Sequence, residues 1–508
     1  MKKVRPYIPG IILFLLALII GILVYQDYGM AWDEPIQRDT GVFNYNYVFH
    51  NNPDLFTAGA DHHGAAFELT LLELEQWMNI TDSRDLYLMR HLVSHLLFLI
   101  SAFFGYVLVF RLFRNRFIAC LGFIMLAFAP RMYAHSFFNS KDIPFLSMTI
   151  IVFALCQVAF SKNKNIYFIL LGIAAGYAAG IRVMGIMFAA IILLFLFIDV
   201  VTDLINKKRP VKPIIHALSF IIAFCLSLYI SWPFLWRTPV HNFIESFNAL
   251  SRFDWDGSVF FEGKALSAKK IPWTYFPVWF LISNPPVWLV AGFAGIIWVA
   301  FKFFRQPISF ITNTANRNFL LYLLCFIVPV LAVILLHSVI YDDWRHLYFV
   351  YPPFVLLALY CINSLVNSRF KPVIIAACAV QVGFTGYFMV RNHPFQQVYF
   401  NSFVSHSPEY LRKNYDMEYW GCSYKQALDH LLAGQHSGTI SIEWDMNPLQ
   451  NNIMMLPKRD RDRIARIDHG GDYRITNFRL HPDDFPYSNV VYSVKVLNST
   501  IVCVYKTH

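Results

Sequence analysis

The stretch "IYFILLGIAAGYAAGIRVMGIMFAAIILLFLFIDVV", residues 166–201, is apolar over most of its length and has Arg182 near its centre. A helix rises about 1.5 Å per residue, so this stretch would extend about 54 Å, whereas crossing a hydrocarbon core of about 30 Å takes about 20 residues. A single crossing would also leave one of the two flanking basic clusters outside. The stretch therefore predicts a hairpin of two short spans with Arg182 near its outer tip. Four glycines would permit close packing and a tight turn: Gly172, Gly176, Gly180 and Gly185.

Apolar runs of similar length recur along most of the chain. Of the 508 residues, 57% are apolar and only 15% are charged, whereas a soluble globular protein is nearer a quarter charged. This composition predicts an α-helical polytopic membrane protein with about eleven transmembrane helices. The predicted spans are 8–26, 88–110, 117–134, 144–160, 166–180, 183–201, 214–231, 277–301, 319–337, 347–366 and 372–390.

The basic residues predict how the chain is oriented. Segments 1–7, 111–116, 161–165, 206–213, 302–318 and 367–372 carry two to four lysines or arginines each. Such basic loops stay on the cytoplasmic side, which places the N-terminus inside and, after eleven spans, the C-terminal tail outside. The net charge of +10 therefore reflects membrane topology and does not indicate a nucleic-acid partner.

Two domains are predicted. Residues 1–390 would form the transmembrane catalytic domain, with a first outer loop at 27–87, and residues 391–508 a small α/β extracytoplasmic domain. In the tail, "GTISIEW" is typical of a strand, "SYKQALDHLLAG" of a helix, and the last apolar run of a hairpin turning near Asn498. Two tail cysteines, Cys422 and Cys503, could form a disulfide in an oxidising compartment, although spacing cannot establish the pairing.

The first outer loop begins with an acidic pair. In "YGMAWDEPIQRDTG", residues 28–41, Asp33 and Glu34 follow the first span directly. Loop acids often cap a helix or face water, and that reading stays open here. An acid in an aromatic setting at a membrane surface loses part of its hydration, however, which would suit a general base. Further along this loop, "AAFELTLLELEQWM" favours a helix on the membrane surface with Glu68 and Glu73 on its polar face.

Two further outer turns carry acids beside cations. Asp142 follows Lys141 and precedes "IP", a sequence that would also suit a helix N-cap. The stretch "HSVIYDDWRHLYFVYPPF" contains a cluster that could alternatively be an interfacial anchor: Asp342, Asp343, Arg345 and His346. A reaction on a lipid-linked phosphate needs a carboxylate to deprotonate the acceptor and cations to hold the leaving phosphate. Arginine suits phosphate because it binds bidentately and stays charged.

These features together resemble the GT-C membrane glycosyltransferases, in particular the family-39-like branch that contains protein O-mannosyltransferases and the bacterial lipid A aminoarabinose transferase. The resemblance runs over about residues 8–390. It rests on the Asp33-Glu34 pair, the acidic turn at Asp142, the hairpin "GIAAGYAAGIRVMG" and the stretch "RHLYFVYPPF". No one of these motifs is specific by itself, and their order and sidedness carry the resemblance.

The resemblance implies a reaction and roles for residues. The enzyme would take a sugar from a polyprenyl-phosphate carrier, undecaprenyl or dolichyl phosphate, on the outer side of a bacterial inner membrane. Asp33 would be the catalytic base and Glu34 its support, with Asp142 in the second acidic turn. Candidate phosphate ligands are Arg182, Arg345 and Lys141, and Asp343 and His346 are further candidates. The hairpin has Arg182 where many relatives have lysine, and His346 stands where tyrosine is usual.

No cofactor is expected, although a divalent metal is not excluded. The stretch "DHHG", Asp61 to Gly64, places two histidines side by side. On a helix they would point about 100° apart, which favours polar contacts over shared metal ligation. The expected partners are the lipid-linked sugar donor, membrane lipids, and a lipid, glycan or protein acceptor.

Two other functions fit the composition. A transporter or flippase of lipid-linked sugars would place ionisable residues near the bilayer midplane and often shows repeated halves. Here the acids are predicted in outer turns and no repeat is evident, which favours the enzyme. A membrane acyl- or phosphoethanolamine transferase would need a nucleophile or a metal cluster, and the sequence contains no pattern typical of either.

Overall fold

The computed structural model describes residues 5–57, 62–251, 255–444, 446–479, 482 and 488–507. Most of the chain is helical. The helices are α1 Ile8–Val24, α2 Glu34–His50, α3 Ala66–Trp77, α4 Ser83–Phe113, α5 Arg116–Ala127, α6 Pro130–Phe138, α7 Asp142–Lys162, α8 Asn165–Ile181, α9 Ile186–Ile205, α10 Val211–Ser231, α11 Pro239–Ser251, α12 Tyr275–Ile282, α13 Pro286–Arg305, α14 Pro307–Thr312, α15 Thr314–Leu335, α16 Tyr351–Val366, α17 Lys371–Arg391, α18 Tyr424–Gly434, α19 Asn447–Met454 and α20 Lys458–Arg461. The strands are β1 Ser258–Phe261, β2 Lys264–Ser267, β3 Ile440–Glu443, β4 Ile464–Ile467, β5 Tyr473–Thr476, β6 Val490–Val496 and β7 Ser499–Lys506.

The predicted multi-pass membrane architecture is confirmed. Among the described residues, eight helices are long and apolar enough to cross a membrane, and a ninth span arises if α5 and α6, bent by 55°, are counted as one. Two shorter apolar helices, α1 and α8, have 17 residues each. Each of the eleven predicted spans coincides with a helix or a helix pair, and the count of eleven requires both the bent pair and the two short helices to cross.

The predicted break in the 166–201 stretch falls at Arg182. Helix α8 ends at Ile181, and Arg182 has extended backbone with φ −140° and ψ 129° before the chain enters α9. The glycines of α8 pack against α10. A Cβ atom on Gly172 would lie 2.6 Å from the carbonyl oxygen of Phe220, so the two helix backbones touch. This contact fixes the end of α8 and hence the position of Arg182.

The C-terminal tail forms a mixed five-stranded sheet with strand order β4-β3-β5-β7-β6. Strands β3, β4 and β5 are parallel, whereas β7 is antiparallel to β5 and β6. The predicted hairpin is confirmed, because β6 and β7 are joined by Leu497 and Asn498, which both have positive φ. This conformation matches the right-handed twist of the strands. Within the described chain, Cys422 and Cys503 are free and buried in separate apolar clusters, so the suggested disulfide does not form.

The helix predicted to lie on the membrane surface, α3, packs one side against the rest of the protein. In α3, Glu68 and Glu75 are almost inaccessible, and both accept ion pairs from Arg90 of α4. The prediction for Glu68 was therefore wrong, because its carboxylate is paired inside the protein, whereas Glu73 is exposed as expected. Burial of an acid is tolerated where a cation and hydrogen bonds compensate it. Helix α3 is thus joined to α4 by two buried ion pairs.

The C-terminal tail packs directly on the loop that follows α1. The Asn452 side chain accepts a hydrogen bond from the Met30 amide at 2.9 Å and donates one to the Met30 carbonyl oxygen at 3.2 Å. Asn451 donates to the carbonyl oxygen of Ala31. These contacts hold the chain immediately before the acidic pair. The domain boundary at residue 391 stays a prediction.

Candidate functional site

The acidic pair lies where the loop after α1 enters α2, and its two members differ in environment. Asp33 precedes the helix, and its side chain is 31% exposed. Glu34 is 4% exposed. Its carboxylate accepts a hydrogen bond from the Ala31 amide at 2.7 Å and lies 3.0 Å from Nε2 of His91. Glu34 therefore shapes the loop, while Asp33 keeps an accessible carboxylate.

Arg345 connects three acidic turns of the chain. Its guanidinium lies 3.3 Å from Asp33, 3.2 Å from Asp342 and 3.6 Å from Asp142. The side chain is 6% exposed. Three turns from distant parts of the sequence thus meet at one arginine.

Two aromatic rings hold the guanidinium of Arg345. The ring of Tyr341 lies 4.9 Å from its Cζ and that of Trp420 lies 4.6 Å away. Arginine stacks favourably on aromatic faces. Since Trp420 belongs to the C-terminal tail, the tail contributes one wall of the site.

Asp142 is positioned by a local turn and paired with a second arginine. Its amide and its carboxylate both bind the Asn139 side chain, at 2.9 Å each. The other carboxylate oxygen pairs with Arg182 from the tip of the α8–α9 break. Asp142 begins α7 but is not its N-cap, since the preceding residue occupies that position and makes no side-chain cap. Its carboxylate instead joins Arg182 to Arg345.

Lys141 is the third cation of the site. Its Nζ lies 3.0 Å from Nδ1 of His63. Burial and the neighbouring Arg182 lower the pKa of Lys141 to about 7. The charge of Lys141 lowers the pKa of His63 to about 2, so the imidazole is neutral and accepts a hydrogen bond. Lys141 can therefore change its charge near neutral pH. We call the following residues the Arg345 cluster: Asp33, Lys141, Asp142, Arg182, Asp342 and Arg345.

Asp343 lies in a different environment from Asp342, which precedes it. Its Oδ2 accepts hydrogen bonds at 2.8 Å from Arg131, Tyr348 and Tyr419. We call these four residues the Arg131 cluster. Burial raises the pKa of Asp343, and its side chain is inaccessible. The structure thus places Asp343 in an internal ion pair rather than beside Asp33.

His346 also makes contacts of its own. Its ring lies edge-on to the Tyr341 ring, with centroids 4.6 Å apart. Through this contact it lies beside an aromatic wall of Arg345.

The structure adds one residue that had no motif in the sequence. Arg479 of the C-terminal tail donates to Asp342 at 2.7 Å, and its guanidinium lies 5.1 Å from the ring of Trp32. Asp342 stood in a recognisable acidic cluster. Arg479 had no such signal, because its partner lies 137 positions away in the chain.

Within the described ranges, no group of three or more histidine, cysteine, aspartate or glutamate side chains could hold a metal ion. Asp61 of the "DHHG" stretch lies outside those ranges. Of its histidines, His62 packs edge-on against Phe234, and His63 meets Lys141. The expectation that no cofactor is required is not tested by these contacts.

Comparisons with known proteins relate this fold to membrane glycosyltransferases. A family model described as dolichyl-phosphate-mannose-protein mannosyltransferase matches residues 71–241, about a third of the chain. The matched segment contains Lys141, Asp142 and Arg182, while Asp33 and Arg345 lie outside it. A search of curated proteins found no match.

Among solved structures, the apo oligosaccharyltransferase of Archaeoglobus fulgidus superposes with a TM-score of 0.52 at 12% identity, covering 91% of this chain and 64% of that one. The same enzyme tethered to an acceptor peptide gives a TM-score of 0.50 at 12% identity, covering 89% and 63%. This chain therefore spans less than two thirds of the archaeal enzyme, and the likeness is one of fold. The resemblance predicted from the sequence is confirmed: the protein is a multi-pass membrane protein with a GT-C fold, and the family that matches residues 71–241 is one of glycosyltransferases.

Proposed function

We propose that the protein is an inverting glycosyltransferase, which moves a sugar from a polyprenyl-phosphate carrier to an acceptor at the outer face of the membrane. The observation that carries this proposal is the accessible Asp33 carboxylate, 3.3 Å from the buried Arg345 guanidinium. A base and a phosphate-binding cation are thus adjacent. The family that matches residues 71–241 is described by a lipid-phosphate sugar donor and a protein acceptor, which supports a donor of the same chemistry here.

Asp33 would act as the general base. It takes the proton of an acceptor hydroxyl or amine while that atom attacks the anomeric carbon from the face opposite the phosphate. The bond between the anomeric carbon and the phosphate oxygen breaks, and its electron pair leaves with the polyprenyl phosphate. A single displacement inverts the anomeric centre, as in glycosidases that use one base and no covalent intermediate. Phosphate is a good leaving group, so the step needs no separate strong acid.

The cations of the Arg345 cluster would bind the donor phosphate. The Nε atoms of Arg182 and Arg345 are buried and have no hydrogen-bond partner among the residues that the structure describes. A phosphate oxygen can satisfy such donors, and charge-assisted bonds of this kind are strong. Binding would draw Arg345 toward the phosphate and release Asp33 to accept a proton. Lys141 adds a third positive charge whenever it is protonated.

The remaining acids would have supporting roles. Asp142 holds Arg182 and Arg345 together, and Glu34 fixes the loop before Asp33 through the Ala31 amide and His91. In this proposal the basic loops are cytoplasmic and the C-terminal tail is exported, as the positive-inside rule predicts. The host membrane would be a bacterial inner membrane. The acceptor would be a protein, a lipid or another envelope glycan.

Transfer from a radiolabelled polyprenyl-phosphate sugar pool to membrane acceptors tests this function. Asp33→Asn is compared with wild type at equal expression, and Asp39→Asn is the matched control because Asp39 is an exposed acid of the same helix. Loss of a general base lowers the rate by about 10²–10⁴-fold, so labelling should vanish in Asp33→Asn and persist in the control.

Unchanged labelling in Asp33→Asn would overturn the assignment of the base, and Asp142 would be tested next. A wild-type protein that moves labelled lipid across the membrane without transferring its sugar would instead support a transporter.

A further inference from the structure

The C-terminal tail sends one short loop into the catalytic face. Arg479 donates from Nη1 to the carbonyl oxygen of Tyr419 at 2.8 Å. Two residues earlier, the Asn477 side chain donates to the carbonyl oxygen of Glu418 at 2.7 Å. Two hydrogen bonds to consecutive carbonyls fix the loop on this segment. The Arg479 side chain is only 13% exposed, so its guanidinium has a defined position.

From this position Arg479 shares a carboxylate with Arg345. Oδ1 of Asp342 accepts from Arg479 at 2.7 Å, and Oδ2 accepts from Arg345 at 3.2 Å. Asp342 also has a left-handed backbone with φ 55°. Residues in sparsely populated backbone regions persist where their surroundings determine them and cluster at functional sites. The two arginines provide such surroundings.

The tail also holds the residue immediately before Asp33. The Trp32 amide donates to the carbonyl oxygen of Trp420 at 2.9 Å, and the guanidinium of Arg479 lies 5.1 Å from the Trp32 ring. Trp420 in turn stacks on Arg345. Arg345 therefore contacts the tail through Trp420, and Asp33 directly follows Trp32, which also contacts the tail.

We propose that Arg479 is a positioning residue of the catalytic site, which keeps Arg345 shared between Asp33 and its other acidic partners. Arg479 neutralises one oxygen of Asp342. Without it, Asp342 attracts Arg345 more strongly and draws it away from Asp33. The catalytic consequence rests on the proposed glycosyltransferase function, whereas the geometric consequence does not.

The geometric consequence is tested on the purified full-length protein by carbodiimide labelling of carboxylates, quantified for Asp33 by mass spectrometry. Arg479→Gln should raise labelling of Asp33 several-fold, and Arg479→Lys should largely restore the wild-type value. Arg461→Gln is the matched control. Arg461 also ties the tail to the membrane domain, through Asp82 at 2.6 Å, but it contacts no member of the Arg345 cluster within the described residues.

A second variant keeps the test decisive if Arg479→Gln folds poorly. Asp342→Asn removes a competitor for Arg345, so labelling of Asp33 should fall below the wild-type value. Equal labelling of Asp33 in wild type, Arg479→Gln and Asp342→Asn would overturn the inference. So would a rise in Arg461→Gln equal to that in Arg479→Gln, because Arg479 would then only anchor the tail.

Transfer kinetics separate this inference from the proposed function. Arg479→Gln should lower kcat at least tenfold with a smaller change in the KM for the donor, and Arg461→Gln should change neither. If Arg479→Gln changes the labelling of Asp33 but the wild-type protein transfers no sugar, the proposed function is wrong. The effect of Arg479 on the Asp33–Arg345 pair is supported in that case. Normal kcat in Arg479→Gln, measured with an active wild type, would refute the catalytic consequence.

Discussion

Asp342 and Asp343 are neighbours in the chain, and both have left-handed backbone, with φ 55° and 62°. Their carboxylates nevertheless belong to different clusters. Asp342 joins the Arg345 cluster, where cations and acids meet beside the accessible Asp33. Asp343 joins the Arg131 cluster, where one arginine and two tyrosine hydroxyls enclose a single oxygen.

The difference between the two clusters is access. The Arg131 guanidinium is 1% exposed and lies between the rings of Trp279 and Phe400, so it can serve only structure. The Arg345 cluster has partly exposed members, Asp33 and Arg182, at 31% and 19%. A ligand can therefore reach its charges. The Arg131–Asp343 pair is thus an internal ion pair, whereas the Arg345–Asp33 pair, with the same chemistry, lies in a candidate reaction centre.

The largest expected effect is on stability, from breaking the Arg131 cluster. Arg131→Met leaves the Asp343 carboxylate buried without its cation, and removing one partner of a buried pair costs about 3–5 kcal/mol. Thermal unfolding in detergent should show a large fall in Tm. The control is Tyr419→Phe, which removes one hydrogen bond of Asp343 and costs about 1 kcal/mol. A wild-type Tm for Arg131→Met would contradict the structural role.

The next effect is on catalysis, from opening the Arg345 cluster. Arg345→Gln should lower kcat/KM about 10²–10³-fold, because a cation that stabilises developing negative charge is lost. Its Tm should fall less than that of Arg131→Met, since Arg182 and Arg479 still compensate the remaining acids. Measuring both quantities for both variants tests the comparison directly. If Arg345→Gln and Arg131→Met showed the same ratio of activity loss to stability loss, the two clusters would not differ in function.

A smaller effect concerns pH, through Lys141. Its pKa lies near 7, and an anion binds the protonated form more tightly. Affinity for a polyprenyl-phosphate sugar, a phosphodiester that does not titrate in this range, should therefore fall as pH rises from about 6 to 8.5, by up to about tenfold. Lys141→Arg should abolish this dependence, because arginine stays charged. An equally steep pH profile in Lys141→Arg would assign the titration to another group.

The smallest effect is expected at the tail cysteines. Since Cys422 and Cys503 are free and lie in separate apolar clusters, a reductant should leave the Tm unchanged. Mass spectrometry without reduction should recover both as thiols. A disulfide-linked peptide pair would show that the tail adopts another arrangement.

Much of the membrane architecture was predictable, because a bilayer imposes a simple rule of length and polarity. The break at Arg182 followed from the length of one apolar run, and the β6–β7 hairpin from a turn residue between two strand-like runs. The acids at positions 33 and 142 were candidates because one lies in the loop after the first span and the other begins a later span. Local pattern was sufficient in each of these cases.

The roles within the clusters were not predictable from local pattern. Nothing in "YDDWRH" distinguishes Asp342 from Asp343, because the partners that separate them are distant: Arg479 in the tail and Arg131 in α6. The helical pattern assigns Glu68 to the polar face of a surface helix, but its carboxylate pairs with Arg90 inside the protein. Arg479 has no local signature, since the carboxylate to which it donates lies 137 positions away. Whether a charged side chain lies in a buried ion pair or in the candidate site therefore depends on partners that are distant in sequence.

The short helix α8 has a consequence for the surrounding bilayer. Its 17 residues extend about 26 Å, which is less than the hydrocarbon thickness of about 30 Å. Lipids beside a helix that is too short thin locally to match it. If α8 crosses the membrane, the lipids next to it would thin toward the end that carries Arg182. In the proposed orientation this end faces the outer leaflet, so a lipid phosphate diffusing there would meet the Arg182 cation in the depression, without leaving the membrane.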